Sequence, residues 1–282
     1  MVFPLTLGMA AHQVNLIIDK SIASTVTVGA ITALSYASFL YLCIENIIIQ
    51  NVSTAIFPEI AVEFLKTRND ELIAKKVRGT MLCTIYLLLP IVVSCFMYAD
   101  FMVSCIYMRG SFNSDSLFLT VMAFQGYLIG LPFLAVRDII TRVFYTYSDT
   151  KTPVKIGICS VIINIVLDYI LSIHLGLFGI TLATSISNAL SAILMCCFVK
   201  IHNKHIIILE LKKDINAIVL ILIISYLTGI AMLRIHMQGL DFVLYGILVL
   251  IIEIMVLKIG NLSVFRYIIS LIDKLNNKKG AI

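Results

Sequence analysis

Charge is scarce in this sequence. Asp, Glu, Lys and Arg make up 13% of its 282 residues, where a soluble domain carries about 25%. Tryptophan is absent and there are five prolines and 14 glycines, too few for a collagen-like repeat or a Pro/Gly-rich disordered chain. No C-x-x-C pair occurs among the seven cysteines, Cys43, Cys83, Cys95, Cys105, Cys159, Cys196 and Cys197. All lie in or at the ends of apolar segments, which reads as small buried hydrophobes rather than redox or metal groups. No basic stretch precedes the first apolar run, so no cleavable signal peptide is expected. A P-loop, a dinucleotide fingerprint, a zinc motif and a nucleophile elbow are all missing, and no enzymatic activity is expected.

What is present is apolar surface. Hydrophobic residues make up 60% of the chain and the mean hydropathy is +1.03. A water-soluble fold of this length could not cover that much apolar area, so the expectation is an all-α polytopic membrane protein. Segments at 2–27, 33–64, 80–104, 116–137, 155–174, 178–200, 215–233 and 241–258 are each long and apolar enough to span, giving about eight transmembrane helices. Strands are not expected, because the runs are continuous rather than ten-residue alternations.

Lys and Arg sort unequally between the connections. Seventeen fall on one side, and only Arg109 and Arg234 fall on the other, while Lys20 and Arg137 lie within spans. This asymmetry predicts both termini on the cytoplasmic side, with a basic tail from Asn261 lying at the membrane surface. The net charge of +5 therefore reflects topology, and no nucleic-acid partner is expected. Tyr147–Pro153 reads as a cytoplasmic turn. Arg109–Asp115 reads as an outer loop, with Ser114 as N-cap of the next helix. Gly126-x-x-x-Gly130 would let two helices approach closely.

The polar residues inside the spans are the candidates for function. Gly8, His12, Asn15, Asp19 and Ala23 share one face of the first helix, with Gln13, Lys20, Ser24 and Thr27 on a neighbouring ridge. Such a face must look into protein or water. Asp19 and Lys20 point about 100° apart, either lining a polar pathway or each pairing with a different helix. The second span continues the theme with Glu45, Asn46, Gln50, Asn51, Ser53 and Thr54 before Pro58, so the two helices are expected to wall one cavity. Asn164 and Asp168 stand one turn apart in the fifth span, and Thr181, Thr184, Ser185 and Asn188 follow in the sixth. Their oxygens suit a hard cation or, equally, a hydrogen-bond cluster between helices.

Four stretches, taken in order, resemble the MurJ/MviN family of the MOP superfamily, whose members flip lipid II, the undecaprenyl-pyrophosphate-linked peptidoglycan precursor. They are Gln13–Ser24 running on to Gly29–Ala37, Thr54–Pro58, Arg109–Phe112, and Arg142–Tyr145 with Asp149–Val154. Family members have fourteen helices in two six-helix lobes plus two more. The resemblance places residues 1–200 as the C-terminal six-helix lobe, 201–260 as the two additional helices and 261–282 as the basic tail. It implies transport in the bacterial cytoplasmic membrane for cell-wall biosynthesis, with lipid II and the bilayer as partners and a separate N-terminal lobe needed for alternating access. Two alternatives remain at this point: export of another polyprenyl-linked oligosaccharide or a MATE-like substrate, and a truncated remnant that does not transport.

Carried over by position, the resemblance implies substrate contacts from Asn15, Asp19, Lys20 and Ser24, with Lys20 standing where the family usually has an essential arginine. It implies no organic cofactor and one ion, Na+, at Asn164, Asp168 and Thr184, with a further acidic ligand at or before Met1. The Pro and Gly usual early in the eighth helix are replaced around Ile44 and Asn46.

Overall fold

The computed structural model describes residues 2–67, 70–202 and 211–233. They form α1 (Val2–Val26), α2 (Ala30–Ile44), a π-helical turn (Glu45–Gln50), α3 (Asn51–Thr67), α4 (Asp70–Met97), α5 (Ala99–Tyr107), α6 (Ser114–Thr146), α7 (Lys151–His202) and α8 (Leu211–Leu233). There is no strand among the described residues. Four stretches within them, Ala30–Lys66, Asp70–Met97, Ser114–Thr146 and Lys151–Val199, are long and apolar enough to cross a membrane. The expected spans from 2–27 to 215–233 coincide with helical segments, except that 80–104 is broken at Tyr98 into the end of α4 and the short α5. The expected span at 241–258 and the basic tail lie outside the described residues.

α7 is a hairpin. Its helical path breaks at Gly176, where φ is 59° and ψ is −135°, a conformation open to glycine and closed to side chains with a Cβ. The two arms, 151–175 and 177–202, run antiparallel. Ser160 Oγ donates to the Ser187 carbonyl at 3.0 Å, and a Cβ on Gly179 would strike the Leu171 carbonyl. The expected spans 155–174 and 178–200 are these arms.

α6 packs most extensively against α7, and it closes on the second arm where small residues remove the side chains that would hold the helices apart. Gly126 faces Thr181 and Gly130 faces Ser185, and Ser185 Oγ donates to the Gly126 carbonyl at 2.6 Å. The Gly-x-x-x-Gly reading is thus an observed helix contact. α6 starts at Ser114, the residue expected to cap it, so the cap lies one residue earlier. Asn113, in an extended conformation, accepts from Ser116 N at 2.9 Å, and Ser114 is already helical. Asn and Ser are comparable caps, so residue type alone did not separate the neighbours.

Two apolar clusters form the core. One gathers Ala23, Leu34, Ala37, Phe124, Leu128 and Ile180; the other gathers Ile60, Ile73, Val77, Ile139, Phe144 and Val199. Ala135 belongs to the first and Ile139 to the second, so Arg137 and Asp138 sit at the boundary between them. Outside, large side chains such as Ile17, Phe39, Ile47, Tyr169 and Ile173 are exposed, as expected of a surface whose solvent is lipid.

Candidate functional site

α1 lies against α7, and the seam carries polar groups from both. Asn15 and Asp19, one turn apart on α1, meet Asn164 and Asp168, one turn apart on the first arm of α7. Their exposures are 8%, 3%, 2% and 0%. Asn15 Nδ2 donates to the Asp19 carboxylate at 3.3 and 3.4 Å. In the orientation that satisfies its neighbours, the Asn164 amide donates to Asn15 Oδ1 at 2.8 Å and to Asp168 Oδ2 at 3.3 Å, and accepts from the Thr184 backbone N–H at 3.0 Å. The Asp19 and Asp168 carboxyl groups are within hydrogen-bonding reach of one another. Two apposed carboxylates held out of water need a cation or a proton between them.

This arrangement redraws the two groups expected from sequence. Asn15 and Asp19 were assigned to substrate, but they lie with the residues assigned to the ion. The α1 carboxylate that meets Asn164 and Asp168 is Asp19; the further acidic ligand expected at or before Met1 lies outside the described residues. Thr184 contributes its backbone N–H, while its hydroxyl turns back to the Ile180 carbonyl at 3.4 Å. Lys20 and Ser24 lie apart from the cluster. Lys20 is exposed and forms no ion pair among the described residues, and Ser24 Oγ donates to the Ser21 carbonyl of its own helix at 2.6 Å. Asp19 and Lys20 therefore diverge as their spacing requires.

A second polar cluster crosses the boundary between the apolar cores. The Gln50 amide donates to Asp138 Oδ2 at 3.0 Å and to Glu45 Oε1 at 3.4 Å. Arg137 reaches Asp138 Oδ1 at 3.4 Å and donates to Asn188 Oδ1 at 2.9 Å. The cluster ties the π-helical turn to α6 and to the second arm of α7. The turn falls at the positions around Ile44 and Asn46 where the resemblance leads one to expect Pro and Gly, and neither residue is there. Sequence reading found Glu45, Gln50 and Asn188 but not Asp138, which accepts from Gln50 and pairs with Arg137. The available signal was two adjacent charges, Arg137-Asp138, inside an apolar run.

Among the described residues no three His, Cys, Asp or Glu side chains converge as a metal group. The donors in the α1–α7 seam are carboxylate and amide oxygens, all buried. That set fits a small hard cation and does not fit a soft transition metal.

Comparison with known proteins gives a consistent result. The family model described as "Lipid II flippase MurJ" matches residues 1–251. A protein of Rickettsia prowazekii named "Probable lipid II flippase MurJ" is 33% identical over 185 residues, covering 65% of this chain and 36% of that protein. A protein of the same name from Vibrio cholerae is 27% identical over 195 residues, covering 69% of this chain and 37% of its own length. The chain thus matches little more than a third of these curated relatives. A solved structure of lipid II flippase MurJ in an inward closed conformation superposes with a TM-score of 0.74 at 24% identity, covering 95% of this chain and 54% of the other. An outward-facing MATE family transporter of the MOP superfamily superposes at 0.62 with 15% identity, covering 92% and 63%. These two structural likenesses speak for the fold.

Proposed function

The chain belongs to the lipid II flippase MurJ family, and from that premise we propose that it is the C-terminal portion of a transporter that moves lipid II across the bacterial cytoplasmic membrane. Residues 1–200 form one rocking lobe, 201–260 add two helices, and 261–282 lie at the cytoplasmic surface with both termini. A separate N-terminal lobe supplies the opposite wall, since alternating access needs two bodies moving about one site. No bond is made or broken, so the protein acts as a carrier and not an enzyme.

The observation that carries this reading is the division of labour along α1. One face buries Asn15 and Asp19 against α7; the adjoining position presents Lys20 outward. An exposed cation beside this seam attracts a pyrophosphate, although Lys lacks the bidentate fork of Arg. Asn15, Asp19, Asn164 and Asp168 would hold Na+, and the bound ion would supply the charge that lets two apposed carboxylates remain ionised. The four residues by themselves hold α1 to α7. A ligand that binds one arrangement of this seam more tightly biases the lobe toward it.

The test is complementation in cells depleted of their own lipid II flippase, using this chain with and without a matching N-terminal lobe. Growth is expected only for the pair, and Lys20→Ala is expected to abolish it. Equal growth of the Lys20→Ala and unmodified pairs would remove Lys20 from the substrate path.

A further inference from the structure

At one end of the molecule the turn after α1 meets the turn between α5 and α6, and a cavity of about 400 Å³ opens between them. Thr32, Tyr36, Tyr107, Arg109, Ser111 and Phe112 line it. None of the ion or substrate candidates above reaches it.

Its walls differ in chemistry. The aromatic wall is pre-formed: the Tyr36 and Tyr107 rings stack at 4.5 Å and 30°, and Phe112 meets Tyr36 edge-on at 5.8 Å. The Tyr107 hydroxyl donates to the Tyr36 carbonyl at 3.3 Å, which fixes the stack to α2. The rest of the lining is polar. Arg109 is exposed and has no carboxylate partner among the described residues. The Thr32, Ser111 and Ser116 hydroxyls line the same space, and they donate to no other described group. No carboxylate lines the cavity.

We propose that this cavity binds a glycosyl phosphate, a single sugar ring carrying a phosphate ester. An unpaired guanidinium among hydroxyl donors is the chemistry of phosphate recognition. A rigid aromatic wall receives the C–H face of a sugar ring, and the volume admits one such ring, at the lower end of ligand pockets. An uncharged apolar ligand would leave Arg109 unused, and an amine would be repelled by it. The link from this cavity to transport rests on the function proposed above, as a docking point for a lipid-linked sugar phosphate at the far face of the membrane. Binding itself does not depend on transport and is read without it.

The experiment titrates the purified full chain in nanodiscs with glucose 1-phosphate, and in parallel with glucose, inorganic phosphate and glycerol 1-phosphate. Tyrosine fluorescence reports binding, because the chain has no tryptophan and 12 tyrosines, two of them in the wall. Glucose 1-phosphate is expected to bind saturably and at least tenfold more tightly than the other three. Arg109→Gln is expected to lose at least tenfold, Arg109→Lys less, and Thr32→Val about threefold, with circular dichroism unchanged because both residues are exposed. Absence of saturable binding, or equal affinity in Arg109→Gln, would overturn the proposal. So would inorganic phosphate or glycerol 1-phosphate binding as tightly, the latter marking a phospholipid headgroup site. If the sugar phosphate binds but the complementing pair fails to grow, the transport reading fails and the cavity assignment stands.

Discussion

Gly130→Ala places one methyl group between α6 and the second arm of α7. The new Cβ would stand 2.6 Å from Ser185 Oγ and 2.8 Å from Ser185 Cα. Carbon atoms rest at about 3.5–4.0 Å, so the helices must part by roughly 1 Å at this point. The same movement stretches the Ser185 Oγ to Gly126 carbonyl bond from 2.6 Å past the useful range. Overpacking costs about 1–3 kcal/mol and the lost hydrogen bond about 0.5–1.5 kcal/mol. Alanine's better helix propensity returns about 1 kcal/mol. The balance is a loss of about 2 kcal/mol, with packing outweighing propensity. Thermal unfolding of the purified chain in detergent, followed by circular dichroism, is the measurement. A Gly130→Ala variant as stable as the unmodified chain would refute the reasoning. Rescue by Ser185→Gly would refute it equally, because the closest carbon is Cα and remains when the side chain is removed.

Three further outcomes are expected. Sodium should raise the melting temperature of the chain where potassium does not, by linkage to the folded state, and Asp168→Ala should abolish the difference; a sodium effect that survives the substitution places the ion elsewhere. Arg137→Gln should destabilise by about 2–3 kcal/mol, below the figure for a fully buried pair because the side chain is 32% exposed. Adding Asp138→Asn should recover part of that loss, and no recovery in chemical denaturation would argue against the network. Asn113→Ala should cost about 1 kcal/mol while Ser114→Ala costs almost nothing, and the reverse order would return the cap to Ser114.

The helices were legible because lipid-exposed segments announce themselves by length and apolarity alone, and every described span was expected. The burial of Asp19 was legible too, since a carboxylate among Leu16, Ile17 and Ile18 has to turn toward protein. Its partner was not. Helical spacing ties Asn15 to Asp19 and Asn164 to Asp168, but nothing local says that the two pairs face one another across 149 residues of chain. The same limit hid Asp138, whose partner Gln50 is 88 residues away. The π-helical turn was missed for a different reason. It has no residue signature of its own, and the Pro and Gly that would have marked a bend are absent from the sequence.

The single-residue joint at Gly176 leaves the two arms of α7 no slack. The first arm carries Asn164 and Asp168; the second is clamped onto α6 through Ser185. A tug on either limb therefore reaches the other through rigid backbone rather than being absorbed by a compliant tether. The packing of the α1 seam and the seating of α6 are thereby joined through one residue, with glycine as the pin.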